Sequence, residues 1–248
     1  MIGMEKTLDM KDLKAIKIEL TRFMMAYKFA LDEMTTKINI LKDEFNYIHD
    51  YNPIEHVKTR LKSPESIFRK VQRKGLDFNL DAMKENIKDI AGIRITCSFI
   101  SDIYEISCMI ANQKDIQILG YKDYIKNPKP NGYQSLHMIV EIPIFMSDRE
   151  ELTFVEIQIR TIAMDFWASL EHKIYYKYNK AVPQKMLDEL KTTAEMATML
   201  DNKMEILHEE IKKMKLADEA EDMRLPIGIG NNKLKLLETF MEEKLGIK

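Results

Sequence analysis

Glycine and proline are scarce in this chain, 8 and 7 of 248 residues, so long irregular connections should be few. Cysteine is scarcer. Cys97 and Cys108 cannot make a disulfide framework, and a reducing cytoplasm is the expected setting. No stretch approaches the ~18 uninterrupted apolar residues of a membrane span. The opening MIGMEKTLDMKDLK carries charge where a signal peptide has an apolar segment, so neither secretion nor membrane attachment is expected. An excess of one charge is missing too. Lys and Arg total 38 against 40 Asp and Glu, which argues against a polycationic coat for bulk nucleic-acid binding. What is present, 45% hydrophobic and 31% charged residues, suits a folded chain with a core that needs no staples.

Apolar residues recur at three- and four-residue spacing from Leu13 through Tyr27 and Ile38 to Phe45, which predicts a helix over 9–48. Asn52-Pro53 breaks it. Residues 53–74 read as helix again, interrupted at Pro64 and stopped at Gly75. The centre alternates instead. GIRITCSFI (92–100), IQILGY (116–121), SLHMIVEIPIF (135–145) and ELTFVEIQIRT (151–161) predict strands, with a short helix over 101–113 and a loop at KNPKPNG (126–132). Helix returns at 162–180 and 184–222. LPIGIGNN then reads as a break before a short amphipathic helix. The expectation is an α+β fold: a mixed β-sheet flanked by helices, with helical extensions over 1–50 and 181–248 around a core at 51–180.

Charge is unevenly distributed. Residues 58–74 hold seven Lys and Arg against Glu65 alone, whereas 184–222 hold eleven Asp and Glu against six Lys. Lys62, Ser66, Lys70, Arg73 and Lys74 fall at helical spacing, a basic stripe with a hydroxyl that suits polyphosphate. A solvated helix face or an RNA-binding patch are the competing readings. Lys122, Lys126 and Lys129 form a second basic group.

Two strands carry polar residues on one face: Glu156, Gln158 and Arg160 on one, and Arg94, Thr96 and Ser98 on the other. Asp89 precedes the second, and Ala91-Gly92 is read as allowing close backbone approach. A sheet with one wet face explains the alternation as well. As neighbours, the strands would bring two carboxylates and two arginines together for metal, base and phosphate chemistry. Tyr133 offers a ring on which a nucleobase can stack, or a core contact. Trp167 reads as core.

The ordered set RLKSPESIFRKVQRK, DIAGIR, KDYIKNPKPNGYQSLH and VEIQIRTIAMDFWASLEHK resembles the synthetase domain of the RelA/SpoT alarmone enzymes, specifically a small stand-alone synthetase. The resemblance spans roughly residues 50–180. It implies a nucleotidyltransferase-like synthetase fold and transfer of a pyrophosphoryl group from ATP to the ribose 3′-hydroxyl of GTP or GDP, in some members GMP. The products are pppGpp, ppGpp or pGpp with AMP, for stringent-response signalling. It implies a homotetramer assembled through the terminal helices. Arg60 and Arg94 would sandwich adenine, and Lys62, Ser66, Lys70 and Arg73 would hold the ATP phosphates. Asp89 and Glu156 would face Mg²⁺, with Glu156 as base. Tyr133 would stack on guanine. Lys122, Lys129 and His137 would follow the acceptor phosphates, and Gln158 and Arg160 would complete that side. Asp165, Glu171 and His172 are supporting candidates without an assigned role.

The chain departs from relatives in two respects. No histidine precedes His49-Asp50, so an alarmone-hydrolysing metal site is not expected, and that pair reads as a helix terminus. His56 and Asn39 stand where an activating pppGpp cleft would carry Phe and Lys. Two alternatives remain open from the residues: a silent nucleotide- or RNA-binding regulator, and a nucleotidyltransferase that releases pyrophosphate.

Overall fold

A computed structural model describes residues 10–49, 51–176 and 182–222. Five strands and six helices follow in the order α1 (Met10–Ile48), β1 (Ile54–Leu61), α2 (Pro64–Lys74), α3 (Leu80–Asn86), β2 (Ala91–Cys97), α4 (Ile100–Ala111), β3 (Gln117–Asp123), β4 (Leu136–Phe145), β5 (Glu150–Thr161), α5 (Ile162–Tyr176) and α6 (Gln184–Asp222). The sheet order is β1-β2-β5-β4-β3. β2 and β5 run parallel and every other pair is antiparallel, so the sheet is mixed as expected. The break and short helix read after residue 222 lie outside the described residues.

Alternation in the central strands divides the sheet into two faces. Ile93, Ile95 and Cys97 of β2, Val155, Ile157 and Ile159 of β5, and Met138, Val140 and Ile142 of β4 are buried in one cluster. Tyr27, Leu31, Met34 and Ile38 of α1 and Ile103, Ile106 and Ile110 of α4 close that cluster. Burying these side chains, at about 1.5–3 kcal/mol each, is the main force holding α1 to the sheet. The opposite face keeps its polar residues.

The helix expected over 53–74 is a strand and then a helix. β1 alternates Val57, Thr59 and Leu61 with Lys58 and Arg60 and pairs with β2 along its length. The helix begins only at Pro64, where the fixed φ suits a first helical position. The Ser63 hydroxyl caps it by accepting the Ser66 N–H. Gly75 ends it in the left-handed conformation at φ 63°, where glycine carries no steric penalty. Lys62 therefore stands just outside the helix that carries Ser66, Lys70, Arg73 and Lys74. α3 has only seven residues, too short for a periodic signal. Its Asn79 cap accepts the Ala82 N–H at 2.7 Å.

The chain forms two compact units, residues 1–205 and 206–248. In the described part of the second, Ile206, Leu207, Ile211, Met214 and Leu216 of α6 are exposed. Among the described residues no helix is long and apolar enough to cross a membrane.

Candidate active site

Parallel pairing of β2 with β5 sets Gly92 opposite Glu156, Arg94 opposite Gln158 and Thr96 opposite Arg160. On the other side of β5, His137 lies opposite Gln158 and Ile139 opposite Glu156. The two polar faces are thus one surface, with Glu156 near its middle.

Two cavities open on that surface. The first, about 430 Å³, lies over β1, β2 and β5 and brings together Arg60, Lys62, Asp89, Arg94, Glu156 and Gln158. The second, about 380 Å³, lies over β5, β4 and β3 and brings together Lys122, Lys129 and His137, again with Glu156. Glu156 is the wall between them. The larger groove of about 990 Å³, bounded by Ile162 and Leu170 of α5 and Leu190 and Leu200 of α6, is predominantly apolar and offers no cluster of cations for phosphate.

In the first cavity Asp89 is held by two lysines. Lys62 Nζ donates to Oδ2 at 2.5 Å, and Lys70 Nζ lies 2.7 Å from Oδ1. That Oδ1 is buried without a well-aligned hydrogen bond, so the Lys70 contact is chiefly electrostatic. Burial pushes the Asp89 carboxyl up, but the two ammonium groups outweigh it and hold the group below the usual carboxylate range. Burial pushes Lys62 down, and Asp89 opposes that.

Glu156 shows the same balance. Burial raises its pKa, His137 and Gln158 lower it, Asp89 raises it, and the result is a carboxylate held ionised. Gln158 Nε2 donates to Glu156 Oε2 at 2.9 Å, and His137 Nδ1 lies 3.4 Å from Oε1.

Arg160 is 4% exposed at its side chain. Its Nη2 donates to Gln158 Oε1 at 2.7 Å and to the Tyr133 hydroxyl at 3.0 Å. The hydroxyl lies 2.8 Å from His137 Nε2. Burial pushes the Tyr133 phenol up, and the Arg160 charge opposes it.

Some expected residues lie back from the two cavities. Tyr133 and Arg160 stand behind the second one, and its aromatic walls are Tyr121 and Tyr124. Ser66, Lys70 and Arg73 lie along α2 outside the first, where Lys70 reaches in to Asp89 and Arg73 is exposed. A Cβ at Gly92 would meet Arg60 O at 3.7 Å and Glu156 O at 4.0 Å, ordinary contacts. Gly92 therefore serves no tight backbone approach and instead leaves floor space in the first cavity. Lys88, not among the residues expected from the sequence, lines the second cavity with its Nζ 3.2 Å from the Phe154 ring centre. Its position immediately before Asp89 was the available signal.

The central loop is held from behind. Asn131 donates to Glu171 of α5 at 3.2 Å, and Thr198 of α6 donates to Gln134 at 3.0 Å. Gly132 has φ 89°, and a Cβ there would fall 2.5 Å from Ala194 Cβ. Glycine is required twice over at this position, for its backbone angle and for the approach of α6.

Among the described residues no three His, Cys, Asp or Glu side chains cluster as a metal cage. Asp89 and Glu156 nonetheless line one cavity as ionised carboxylates beside phosphate-type cations. A Mg²⁺ ion bound through one or two carboxylates plus substrate phosphates needs that donor set and no more.

Residues 59–181 match the model of the region found in RelA/SpoT proteins. The chain is 55% identical over 195 residues to the GTP pyrophosphokinase YwaC of Bacillus subtilis, covering 79% of this chain and 93% of that protein. It is 36% identical over 196 residues to the GTP pyrophosphokinase YjbM of the same organism, covering 79% and 92%. The crystal structure of small alarmone synthetase 2 from B. subtilis superposes with a TM-score of 0.71 at 52% identity, covering 77% of this chain and 99% of that one. Small alarmone synthetase 1 from the same organism, bound to its product pppGpp, superposes at 0.72 and 36% identity, covering 78% and 98%.

Proposed function

We propose that this chain, which belongs to the RelA/SpoT family of GTP pyrophosphokinases, transfers the pyrophosphoryl group of ATP to the ribose 3′-hydroxyl of GTP or GDP. The observation that carries this reading is Glu156, one ionised carboxylate lining a cation-rich cavity on either side. Two phosphorylated substrates that must react with each other need two such cavities and a base at the boundary.

ATP is assigned to the first cavity. Arg60 and Arg94 bracket its base, while Lys62, Lys70, Ser66 and Arg73 serve its phosphates. The acceptor is assigned to the second, with Lys122, Lys129, Lys88 and His137 toward its phosphates. Tyr133, Gln158 and Arg160 hold the acceptor side in place. Glu156 takes the proton of the 3′-hydroxyl. The hydroxyl oxygen bonds to the β-phosphorus of ATP, the bond from that phosphorus to the α,β-bridging oxygen breaks, and AMP leaves. Asp89 and Glu156 are the residues that would hold Mg²⁺, which neutralises charge on the polyphosphate. The remainder of the rate comes from alignment of hydroxyl and phosphorus.

The catalytic core is assigned to residues 51–180. The flanking segments 1–50 and 181–248 are assigned to assembly of a homotetramer, with exposed Leu13, Ile16, Ile40, Met196, Met199 and Leu200 as contact candidates. Sedimentation as a monomer at micromolar concentration would end that assignment. A silent nucleotide- or RNA-binding regulator is not favoured, because such a protein needs no carboxylate shared between two cavities.

Incubation with ATP, Mg²⁺ and equimolar GTP, GDP and GMP tests the reading and ranks the acceptors. AMP and a 3′-pyrophosphorylated guanosine nucleotide are expected. Release of pyrophosphate in place of AMP would mean nucleotidyl transfer and would overturn it.

A further inference from the structure

Asp165 sits in the first turn of α5, and two arginines from different strands meet on one of its oxygens. Arg94 Nη1 of β2 donates to Oδ1 at 3.0 Å, and Arg160 Nη1 of β5 donates to the same Oδ1 at 3.3 Å. The side chain of Asp165 is 16% exposed. Its placement follows from local structure. Thr161 ends β5, and its hydroxyl accepts the Met164 N–H at 3.1 Å, which starts the helix directly on the strand. Helical side chains lean toward the N-terminus, so Asp165 points back over β5 and β2.

Each arginine leads to a different nucleotide side. Arg94 lines the first cavity. From Arg160, two polar routes run to Glu156, one hydrogen-bonded throughout and one that ends in a 3.4 Å ion-pair contact. One passes from Nη2 through Gln158 to Glu156 Oε2. The other passes from Nη2 through the Tyr133 hydroxyl and the His137 ring to Glu156 Oε1. The donors run in a consistent direction when His137 carries its proton on Nδ1. Nε of both Arg94 and Arg160 is buried without a hydrogen bond, so neither guanidinium is anchored from its inner edge. Their outer nitrogens fix them, and Asp165 is the carboxylate that takes one from each.

We infer that Asp165 is a positioning residue: it sets the ATP-side Arg94 and, through Arg160, the Glu156 circuit with one carboxylate oxygen. This rests on the proposed pyrophosphoryl transfer, and it adds a role for a helix residue that lines neither cavity. A charge-assisted bond shared by two arginines is stronger and more directional than a neutral one, so its loss frees both side chains together.

The test compares wild type with Asp165→Ala, Asp165→Asn and Asp165→Glu. Two readouts are taken: steady-state AMP release with both KM values, and separate equilibrium titrations of a non-hydrolysable ATP analogue and of GTP. In Asp165→Ala, affinity for both nucleotides should fall, and kcat at saturation should drop about 10- to 100-fold, the scale of a misplaced catalytic group. Asp165→Glu, which keeps the charge, should recover more activity than Asp165→Asn, which keeps only the acceptor oxygen. A purely structural carboxylate would lower the amount of folded enzyme and leave KM alone. Unchanged KM values, or a change confined to one nucleotide, would overturn the inference. If Asp165→Ala does not fold, the order of Asn and Glu decides alone. Wild type that releases no AMP would bring down the proposed function instead, and the two titrations would still decide the role of Asp165.

Discussion

The two cavities share a carboxylate but are held in opposite ways. In the first, charge rests on charge: Lys62 and Lys70 on Asp89, and Arg94 on Asp165. In the second, two of the three lysines rest on rings. Lys88 lies over Phe154, and Lys129 lies 4.7 Å from the Tyr124 ring centre and 4.5 Å from that of Tyr133. An ammonium over a ring keeps its N–H donors for an incoming phosphate, whereas one on a carboxylate must change partners. The first cavity is therefore shaped by its own counter-charges. The second is shaped by a loop braced against α5 and α6.

The largest effect is expected at the shared wall. Glu156→Gln should lower kcat by about 10²–10⁴, the usual weight of a general base, with smaller changes in either KM. Equal rates for variant and wild type would remove Glu156 as the base. Next comes the division of labour. Lys70→Ala should raise KM for ATP about tenfold and leave the acceptor KM near its value, and Lys122→Ala should do the reverse. If either variant moves the other nucleotide's KM, the two cavities are not separate sites.

A smaller effect concerns the brace. Gly132→Ala adds a Cβ 2.5 Å from Ala194 Cβ at φ 89°. It should cost about 1–3 kcal/mol of stability and raise the acceptor KM selectively. Adding Ala194→Gly should relieve the contact but not the backbone angle, so a thermal melt should show partial recovery. Full recovery would mean that the angle costs nothing.

The smallest prediction lies outside both cavities. Asp201 of α6 accepts the Thr161 hydroxyl at 2.6 Å. Burial, opposed by Thr161 and assisted by Glu205, pushes its pKa from 3.8 up to about 6. Between those values the folded state holds a proton that the unfolded chain has released, so the group's contribution to stability falls as pH rises from about 4 to 6 and stays low above. Asp201→Asn should flatten that slope and gain about 1 kcal/mol at pH 7.5, a rise of ~2–4 °C in Tm, with both KM values unchanged. A melting temperature that falls at pH 7.5 would contradict this.

The central sheet was legible because it has one wet face. Burial alternates through β4, over 91–95 of β2 and over 155–159 of β5, and Arg94 and Glu156 can be placed on a face from spacing alone. β1 was hidden by its own charge. Lys58, Arg60 and Lys62 continue into Lys70 and Arg73 at spacings that imitate a helical stripe, and Pro53 imitates a helix start. Strand order could not be read, because β2 and β5 are neighbours separated by β3 and β4 in sequence. That adjacency sets Asp89 and Glu156 in one cavity and gives Arg94 and Arg160 a common partner in Asp165. Tyr133 marked the correct segment, yet whether its ring faces a cavity or packs behind it depends on α6, which lies some sixty residues further along the chain.

The contact between Gly132 and Ala194 reaches into how such a chain can change over generations. A glycine in a tight loop is an obvious place for a mutation to be purged. The alanine facing it lies on an acidic, largely exposed helix that looks free to drift. Here the two are a single inherited character. Any enlargement of residue 194 reaches the acceptor loop as surely as a substitution at 132, so lineages that vary one should show compensation at the other.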